Sequence, residues 1–262
     1  MNVYTYIDNQ IPMIPKTHPR YESLKKREKL VAGLEAGITG KQGLIAHGRG
    51  EAFDYLIGER TLNSARKATE AAAAFLLTAQ KPVISVNGNA AALVTKEIIV
   101  LSKLINAPLE VNIFYRTEER ARRIKARLEE QGAANVLGDK ANARIPGIAH
   151  ARAKVDREGI YSADVVLAPL EDGDRCEALI KMGKKVITVD LNPLSRTSRF
   201  ATVSIVDDIG RVMENLITII KEKKNAKDDL TALLGGYDNR WNLRDCVKEI
   251  VDRLKEEELQ VL

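Results

Sequence analysis

Aromatic residues are scarce in this chain of 262 residues, at only 5% of the total. Proteins that bind single-stranded nucleic acid stack the bases on aromatic side chains, and the chain contains no zinc-finger or RNA-binding signature. The net charge of +5 raises the possibility of nucleic-acid binding. However, the basic residues mostly alternate with acidic ones, as in "RTEERARRIKARLEEQ", which is typical of solvated helix faces. We therefore expect no nucleic-acid partner.

Cysteine and long apolar runs are also lacking. The two cysteines, Cys176 and Cys246, lie far apart and without metal-ligand spacing, so we expect neither a disulfide framework nor a zinc site. No stretch reaches the roughly 18 to 20 consecutive apolar residues of a membrane-spanning helix. The start of the chain lacks the basic-then-apolar order of a signal peptide. These absences predict a cytoplasmic protein without a membrane partner.

Short apolar segments alternate with longer segments of helical period through most of the chain. This alternation is typical of an α/β domain built around a largely parallel sheet. The predicted strands are "GLIAH", "PVISVN", "LEVNIFY", "DVVLAPL", "KVITVDL" and "TVSIVD". The helices predicted between them are 65–79, 93–105, 118–131, 175–182 and 209–223.

Helices are also predicted on both sides of this alternation, at 21–37 and 243–259. A Gly-Gly pair breaks a short helical segment before the second of them. We therefore predict a Rossmann-like α/β fold, in which a largely parallel sheet is flanked by helices, with N-terminal and C-terminal helical extensions. The main domain is expected to span residues 1–224 and the C-terminal helical extension residues 225–262.

Parallel sheets bind ligands at the carboxyl ends of their strands, where loops converge and helix N-termini present free N–H groups. Polar or glycine-rich residues follow the predicted strands, such as "HGRGE", "NGN" and "EDGDR". Each of these segments alone could be an ordinary turn or helix cap. Together they predict a crevice lined with amides, carboxylates and arginines.

The glycine patterns disfavour the two commonest phosphate-binding loops. The chain has no G-x-x-x-x-G-K-[ST] segment, and "HGRGEAF" is not the G-x-G-x-x-G turn of a dinucleotide-binding fold. Arginine presents a planar fork of donors that matches phosphate oxygens, so the arginines near strand ends suit a phosphorylated ligand, namely Arg49, Arg116, Arg175, Arg196 and Arg199. Asp190 and Asn192 suit a ribose or a purine edge. We interpret the crevice as a site for a nucleotide beside a second anion.

Longer segments, in order along the chain, resemble one family. They are "IPKTHPRYESLKKRE", "GLIAHGRGEAFDYLIGE", "PVISVNGNAAALV", "EVNIFYRTEER", "VVLAPLEDGDR" and "VITVDLNPLSRTSR". These segments are similar to the archaeal phosphopantothenate synthetases, also called 4-phosphopantoate–β-alanine ligases. The resemblance extends from about residue 14 to about residue 220.

The resemblance implies an ATP-dependent ligase of coenzyme A biosynthesis that acts as a homodimer. Members of that family condense 4-phosphopantoate with β-alanine to give 4′-phosphopantothenate, while ATP is cleaved to AMP and pyrophosphate. Because a carboxylate is a poor acyl electrophile, a phosphopantoyl-adenylate forms before the amine attacks. Residues 1–224 would then be the catalytic domain that binds the nucleotide and phosphopantoate.

Carried over onto this sequence, the family's ATP contacts fall mainly on strand ends. Arg196 and Thr197 would donate to the phosphates, while Asp190 and Asn192 would meet the adenosine. Arg27 lies on a predicted helix, where the residues alone would favour a solvated basic face. The full set is Arg27, Arg49, Asp190, Leu191, Asn192, Arg196, Thr197, Asp208 and Ile209.

Other roles depend on residue chemistry alone. His47, at a predicted strand end, could transfer a proton or bond to a carboxylate, or it could be structural. Asn87 and Asn89 could hold the substrate phosphate or cap the next helix, and Arg116 is a further candidate for substrate binding. Mg²⁺ usually binds through one or two carboxylates plus substrate phosphates. Its candidate ligands are Glu171, Asp172 and Asp174.

Two other functions stay open from the sequence. A non-catalytic nucleotide sensor would bind ATP without requiring phosphopantoate. A basic RNA-associated protein would bind nucleic acid with an affinity that falls steeply with salt. No obvious covalent nucleophile is present, but attack by a bound amine on an adenylate needs mainly positioning and charge neutralisation.

Overall fold

The computed structural model describes residues 14–224 and 227–261. Residues 1–13, 225–226 and 262, which belong to the two predicted domain ranges, lie outside the described residues. The division between residues 224 and 225 stays a prediction. Three helices precede the first strand: α1 (Tyr21–Glu35), α2 (Lys41–Ile57) and α3 (Asn63–Thr78).

Strands and helices then alternate along the chain. The first half contains β1 (Pro82–Val86), α4 (Gly88–Leu93), α5 (Thr95–Ile105), β2 (Leu109–Val111), α6 (Glu118–Glu130) and β3 (Val136–Leu137). An irregular crossover follows, with β4 (Ala143–Arg144), a 3-10 helix (Ala151–Ala153), β5 (Lys154–Val155) and a π-helical turn (Arg157–Tyr161). The second half contains β6 (Val165–Leu167), α7 (Gly173–Lys181), β7 (Lys185–Val189), α8 (Arg196–Phe200), β8 (Val203–Ile205), α9 (Ile209–Lys223), α10 (Lys227–Gly236) and α11 (Asn239–Val261).

The main sheet has six strands in the order β3-β2-β1-β6-β7-β8, and all neighbouring strands are parallel. The chain moves outward from β1 to β3, crosses back, and moves outward again from β6 to β8. The strand order therefore reverses between β1 and β6. This is the predicted Rossmann-like α/β fold, with helices before and after the sheet.

Each face of the sheet carries its own apolar core because successive strand residues point to opposite sides. Ile84, Leu167 and Ile187 are in register and pack with α3, α5 and α9 on one face. Val83 and Val166 belong to the second core, together with residues of the crossover and α7. Strands covered on both faces consist mostly of apolar residues, which explains why most of them could be recognised in the sequence.

Five of the six predicted strands are present, but "GLIAH" is part of α2 and not a strand. Its apolar run is only three residues long, which cannot distinguish a strand from a helix. Ile45, at the centre of that run, is 74% exposed, so the run was not evidence of a buried strand. The segment instead lies over the edge of the sheet, where Asn89 donates to the Gly43 carbonyl (2.8 Å).

The helix α11 packs within its own chain. Leu243 and Cys246 are buried in the main core. The Glu249 carboxylate accepts hydrogen bonds from the N–H groups of Asn63 (3.2 Å) and Ser64 (3.1 Å), at the start of α3. Among the described helices, none is long and apolar enough to cross a membrane.

Candidate active site

A cavity of about 310 Å³ opens at the carboxyl edge of the sheet, where the strand order reverses. Its walls are α2, the loop after β1, the aromatic residues after β2 and the loop after β6. Open α/β sheets bind their ligands at such a switch point because the loops on its two sides diverge. The topology thus places the cavity where the sequence predicted a crevice.

The loop after β1 ties the walls of this cavity together. Asn87 caps α4, and its Nδ2 donates to the carbonyls of Pro169 (2.8 Å) and Leu170 (3.2 Å) in the loop after β6. Asn89 fixes α2 by donating a hydrogen bond to the Gly43 carbonyl. Both asparagines line the cavity, but part of their hydrogen-bonding capacity is already used for structure.

Arg120 reaches the cavity from the first turn of α6. Its Nε donates to the Ile38 carbonyl (2.9 Å), and burial lowers its pKa from the ordinary value. A Cβ at Gly88 would lie 2.5 Å from that carbonyl oxygen and 2.7 Å from Nη2 of Arg120. Glycine at position 88 therefore allows the arginine and the loop before α2 to approach the end of β1.

Arg152 reaches the cavity from the crossover and joins a buried ionic network. Its Nε donates to Asn112 (3.1 Å), its Nη1 to Asp172 (2.5 Å) and its Nη2 to Glu171 (3.0 Å). Arg175 bonds to the same Glu171 carboxylate and is completely buried. Buried charges of opposite sign offset part of each other's desolvation penalty, so this network holds the Arg152 guanidinium in one orientation.

Two polar residues, Glu110 in β2 and Asn112 directly after that strand, anchor the crossover that carries Arg152. The carboxylate of Glu110 accepts hydrogen bonds from the N–H groups of Asp156 (2.9 Å) and Ile160 (2.6 Å), at the π-helical turn. Burial raises the pKa of Glu110 to about 7, although the two hydrogen bonds act to lower this pKa. Asn112, directly after β2, donates to the Arg152 carbonyl (3.2 Å). The strand thereby positions a cavity residue far away in the sequence.

The loop after β7 carries the predicted adenosine-binding residues. Asp190 accepts hydrogen bonds from the Asn192 N–H (3.0 Å) and from the Ser195 hydroxyl (2.5 Å). Burial raises the pKa of Asp190, although both bonds oppose that rise. A Cβ at Gly50 of α2 would lie 3.5 Å from Leu191. The loop is therefore ordered by its own side chains and lies against α2.

The two predicted phosphate ligands at the start of α8 differ in exposure. The side chain of Arg196 is 64% exposed and is paired with Glu177 on α7 (3.0 Å). Thr197 is buried and donates to the Glu171 carbonyl (2.8 Å). A Cβ at Gly173 would lie 2.5 Å from the Cβ of Arg196. Residues 171–173 thus connect the cavity to the loop after β7.

Arg27 and Asp208 lie where α1 meets α2 and α9. Arg27 makes a bidentate pair with Glu51, with an Nη2–Oε2 distance of 2.6 Å. Asp208 caps α9 and also accepts from Nζ of Lys26 (2.8 Å), while Ile209 is buried. These predicted ATP contacts therefore have protein partners that a nucleotide would have to share or replace.

His47 and Arg49 lie on α2 and not at a strand end. Nε2 of His47 is buried without a hydrogen-bond partner among the described residues. Burial lowers the pKa of His47, while the nearby carboxylates of Glu51 and Asp208 oppose that shift. Arg49 is exposed, and its charge lowers the pKa of Asp190 in opposition to burial. The helix therefore brings both residues to the side of the predicted nucleotide site.

Arg116 does not line the cavity. Its Nε and Nη2 donate to Glu118 (3.1 and 3.0 Å), and Nη2 also approaches the Asp139 carbonyl (3.4 Å). Its side chain is almost completely buried in these contacts. Arg120, in the first turn of α6, lines the cavity instead.

The acidic residues after β6 already have basic partners. Glu171 and Asp172 bond to Arg152, and Asp174 bonds to His150 (2.7 Å). Within residues 14–224 and 227–261, no group of three or more His, Cys, Asp or Glu side chains is arranged to hold a metal ion. The described side chains thus do not form a Mg²⁺ site by themselves.

Sequence reasoning missed the two arginines that line the cavity, Arg120 and Arg152. Arg120 lies within "RTEER", a segment that was recognised, and its position one turn after Arg116 was the available signal. Arg152 lies in the crossover, which has no regular apolar period. No local signal there could have assigned it to the cavity.

Comparison with known proteins identifies relatives that cover almost the whole chain. Residues 64–253 match the family model described as phosphopantothenate/pantothenate synthetase. The chain is 56% identical over 243 residues to the 4-phosphopantoate–β-alanine ligase of Thermococcus kodakarensis, covering 92% of this chain and 93% of that protein. Proteins of the same name from Methanosarcina mazei and Methanospirillum hungatei are 54% and 50% identical, with coverage of 92% of this chain and 96% and 98% of their own lengths.

Proposed function

The chain belongs to the phosphopantothenate/pantothenate synthetase family, and we propose that it condenses 4-phosphopantoate with β-alanine to 4′-phosphopantothenate. This is a ligase reaction of coenzyme A biosynthesis. ATP activates the carboxylate of 4-phosphopantoate as an acyl-adenylate and releases pyrophosphate. The amine of β-alanine then attacks the acyl carbon and releases AMP.

The observation that best supports this proposal is the connection between the cavity and the predicted nucleotide loop. The phosphate of 4-phosphopantoate binds in the cavity, where Arg120 and Arg152 supply positive charge. Its carboxylate extends toward residues 171–173. There Arg196 and Thr197 lie next to the cavity and bind the phosphates of ATP. The carboxylate and the α-phosphate of ATP can thus meet at the boundary of the two sites.

The chain accelerates this reaction by positioning and by charge neutralisation. Holding two reactants in line replaces a bimolecular encounter, and fixed arginines stabilise negative charge that develops on the phosphate oxygens. Asp190 and Asn192 orient the adenosine. Mg²⁺, which usually keeps several waters and binds substrate phosphates, would enter with ATP.

The test of the proposal is product analysis with ATP, Mg²⁺, 4-phosphopantoate and β-alanine. We expect AMP to accumulate only when both organic substrates are present, whereas ATP and 4-phosphopantoate alone should already form the acyl-adenylate and pyrophosphate. If the substrate carboxylate carries a heavy-oxygen label, one labelled oxygen should pass into AMP. Binding of ATP without turnover would point to a nucleotide sensor, whereas label in inorganic phosphate would show an acyl-phosphate route.

The position of the substrate phosphate is tested separately. Arg120→Gln is expected to raise the KM for 4-phosphopantoate by about 10- to 100-fold, the range of one lost hydrogen bond to a charged group, and to leave the KM for ATP nearly unchanged. Arg116→Gln is the matched variant from the same end of α6. An effect of Arg116→Gln alone would place the phosphate at the outer end of β2 instead.

We also propose that the enzyme is a cytoplasmic homodimer. Exposed apolar side chains of α2 and α11, Leu56, Val251 and Leu254, support a contact between two copies. The two helices adjoin each other, since Arg253 donates to the Leu56 carbonyl (3.2 Å). Leu254→Glu should lower the mass measured by light scattering without changing the thermal midpoint of the monomer.

A further inference from the structure

The amine substrate places a specific demand on the site. Building on the proposed function, β-alanine arrives with a positive ammonium group, since an aliphatic amine is protonated at neutral pH. A cavity that binds anions through two arginines would repel that group. A carboxylate beside the acyl carbon is therefore needed to bind the ammonium and direct the nitrogen at the adenylate.

Asp172 is the acidic residue among those that line the cavity. The other charged lining residues are Arg120 and Arg152. Once the carboxylate of 4-phosphopantoate has been adenylated, its phosphate and the carboxylate of β-alanine remain to be bound, in addition to the single ammonium group. Two guanidinium groups and one carboxylate therefore match the charges that the cavity has to bind.

The position of Asp172 on the chain fits the reacting centre. It is the N-cap residue of α7, directly before Gly173, where an added Cβ would lie 2.5 Å from the Cβ of Arg196 in the predicted ATP site. The residue before it, Glu171, accepts a hydrogen bond from Thr197 (2.8 Å) through its carbonyl. Asp172 thus lies where the cavity adjoins the phosphate-binding loop.

Asp172 can also release its present partner. Its side chain is 35% exposed and meets Nη1 of Arg152 at 2.5 Å, whereas the side chain of Glu171 is almost completely buried. Arg152 keeps two contacts with Glu171, at 2.9 and 3.0 Å, when Asp172 turns away. The exposed carboxylate can therefore exchange a guanidinium for an ammonium group without leaving the arginine unpaired.

We infer that Asp172 binds the ammonium group of β-alanine and sets its nitrogen against the acyl-adenylate. When the substrate phosphate takes over Nη1 of Arg152, the Asp172 carboxylate becomes available to the amine. One proton first leaves the ammonium group for solvent through the open side of the cavity, which frees the lone pair of the nitrogen. The C–N bond then forms, the bond between the acyl carbon and the phosphate oxygen breaks, and its electron pair leaves with AMP. A second proton leaves the nitrogen for solvent as the amide forms.

The test separates the two half-reactions in Asp172→Asn. Isotope exchange between pyrophosphate and ATP, measured with 4-phosphopantoate and without β-alanine, should remain near the wild-type rate. The KM for β-alanine should rise by about 10- to 100-fold, the range of one hydrogen bond between charged groups. Hydroxylamine, an uncharged nucleophile at neutral pH, should still trap the acyl group at nearly the wild-type rate.

Two further variants make the result specific. Asp172→Glu keeps the charge but moves the carboxylate by one methylene, so it should raise the KM for β-alanine less than Asp172→Asn does. Asp245→Asn removes an exposed carboxylate on α11, outside the cavity, and should leave all three readouts unchanged.

Three results would overturn the inference. The first is an unchanged KM for β-alanine in Asp172→Asn. The second is an equal loss of pyrophosphate exchange and amide formation, because that would show that Asp172 only supports Arg152. The third is absence of exchange in the wild-type protein, which would overturn the adenylate route of the proposed function and this inference with it.

Discussion

The arginines of the ionic network beside the cavity are buried, whereas those of the predicted nucleotide site are more exposed. The side chains of Arg152 and Arg175, beside β2 and β6, are 4% and 0% exposed. Arg27 and Arg196, on the side of β7 and β8, are 41% and 64% exposed. In both regions the guanidinium groups are paired with carboxylates. The regions therefore differ in how much protein surrounds each ion pair.

This difference has opposite consequences for stability and binding. Removing one partner from a buried ion pair leaves an uncompensated charge and destabilises the fold strongly. An exposed pair contributes little, and its arginine can exchange a carboxylate for a phosphate at small cost. We expect variants of the cavity network to affect folding and variants of the nucleotide side to affect mainly ATP use.

The largest effect is expected from Glu171→Gln in the cavity network. Because Arg152 and Arg175 both bond to this carboxylate, its neutralisation should reduce the free energy of unfolding by about 3 to 5 kcal/mol. The thermal midpoint should then fall by about 10 °C, as measured by calorimetry. A midpoint equal to that of the wild type would show that the network contributes no more than an exposed pair.

A pH-dependent effect is expected from Glu110, which anchors the crossover. Burial raises its pKa from 4.5 to about 7, with Arg175 and the bonded N–H groups of Asp156 and Ile160 opposing the shift. Because the folded state then binds the proton more tightly than the unfolded state, this contribution to stability is complete below pH 4.5 and lost as the pH rises through 7. The loss is at most about 3 kcal/mol.

The measurement for Glu110 is the thermal midpoint of wild type and Glu110→Gln between pH 5 and 8. Since glutamine does not titrate, the thermal midpoint of the wild type should fall relative to that of the variant as the pH rises. Parallel curves for the two proteins would mean that Glu110 keeps an ordinary pKa in the folded state.

On the nucleotide side, Arg196→Lys should change activity and not stability. Lysine keeps the charge but loses the bidentate fork, so kcat/KM for ATP should fall by about 10- to 100-fold. The thermal midpoint should stay within error of the wild type because the side chain is exposed. Arg199→Lys, in the same short helix, is the control. Equal kinetics for the two variants would remove Arg196 from the phosphate site.

The smallest effect is expected from Glu177→Gln, which removes the protein partner of Arg196. Both side chains are accessible to solvent, so the pair adds little to folding. We expect an unchanged thermal midpoint in calorimetry. A fall as large as that for Glu171→Gln would abolish the proposed difference between the two regions.

The two regions also differ in how well the sequence predicted them. "KVITVDL" was recognised as a strand because β7 is buried on both faces and its apolar run is long enough to be diagnostic. The loop that follows it was assigned through the resemblance to a family, motif by motif. By contrast, α2 was mistaken for a strand at "GLIAH", and β3 was missed because it contains only two residues.

The cavity could be predicted only in part. Asn87 and Asn89 follow a predicted strand, and the structure places both of them in the cavity wall. Arg116 was chosen by the same reasoning, but its guanidinium is occupied by Glu118. Position after a strand end brings a residue to the correct edge of the sheet. It does not decide which neighbour the side chain will contact.

The sequence alone determined the alternation of strands and helices, because burial imposes a period along each element that can be seen locally. It also determined the family, since long motifs occur in order. Only the tertiary structure decided that Arg152 meets Glu171 and Asp172 at the mouth of the cavity. That contact depends on how the irregular crossover folds back onto β2, where Glu110 and Asn112 hold it by hydrogen bonds to backbone atoms. Bonds to the backbone of a distant segment leave no period in the sequence, so they could not be predicted from it.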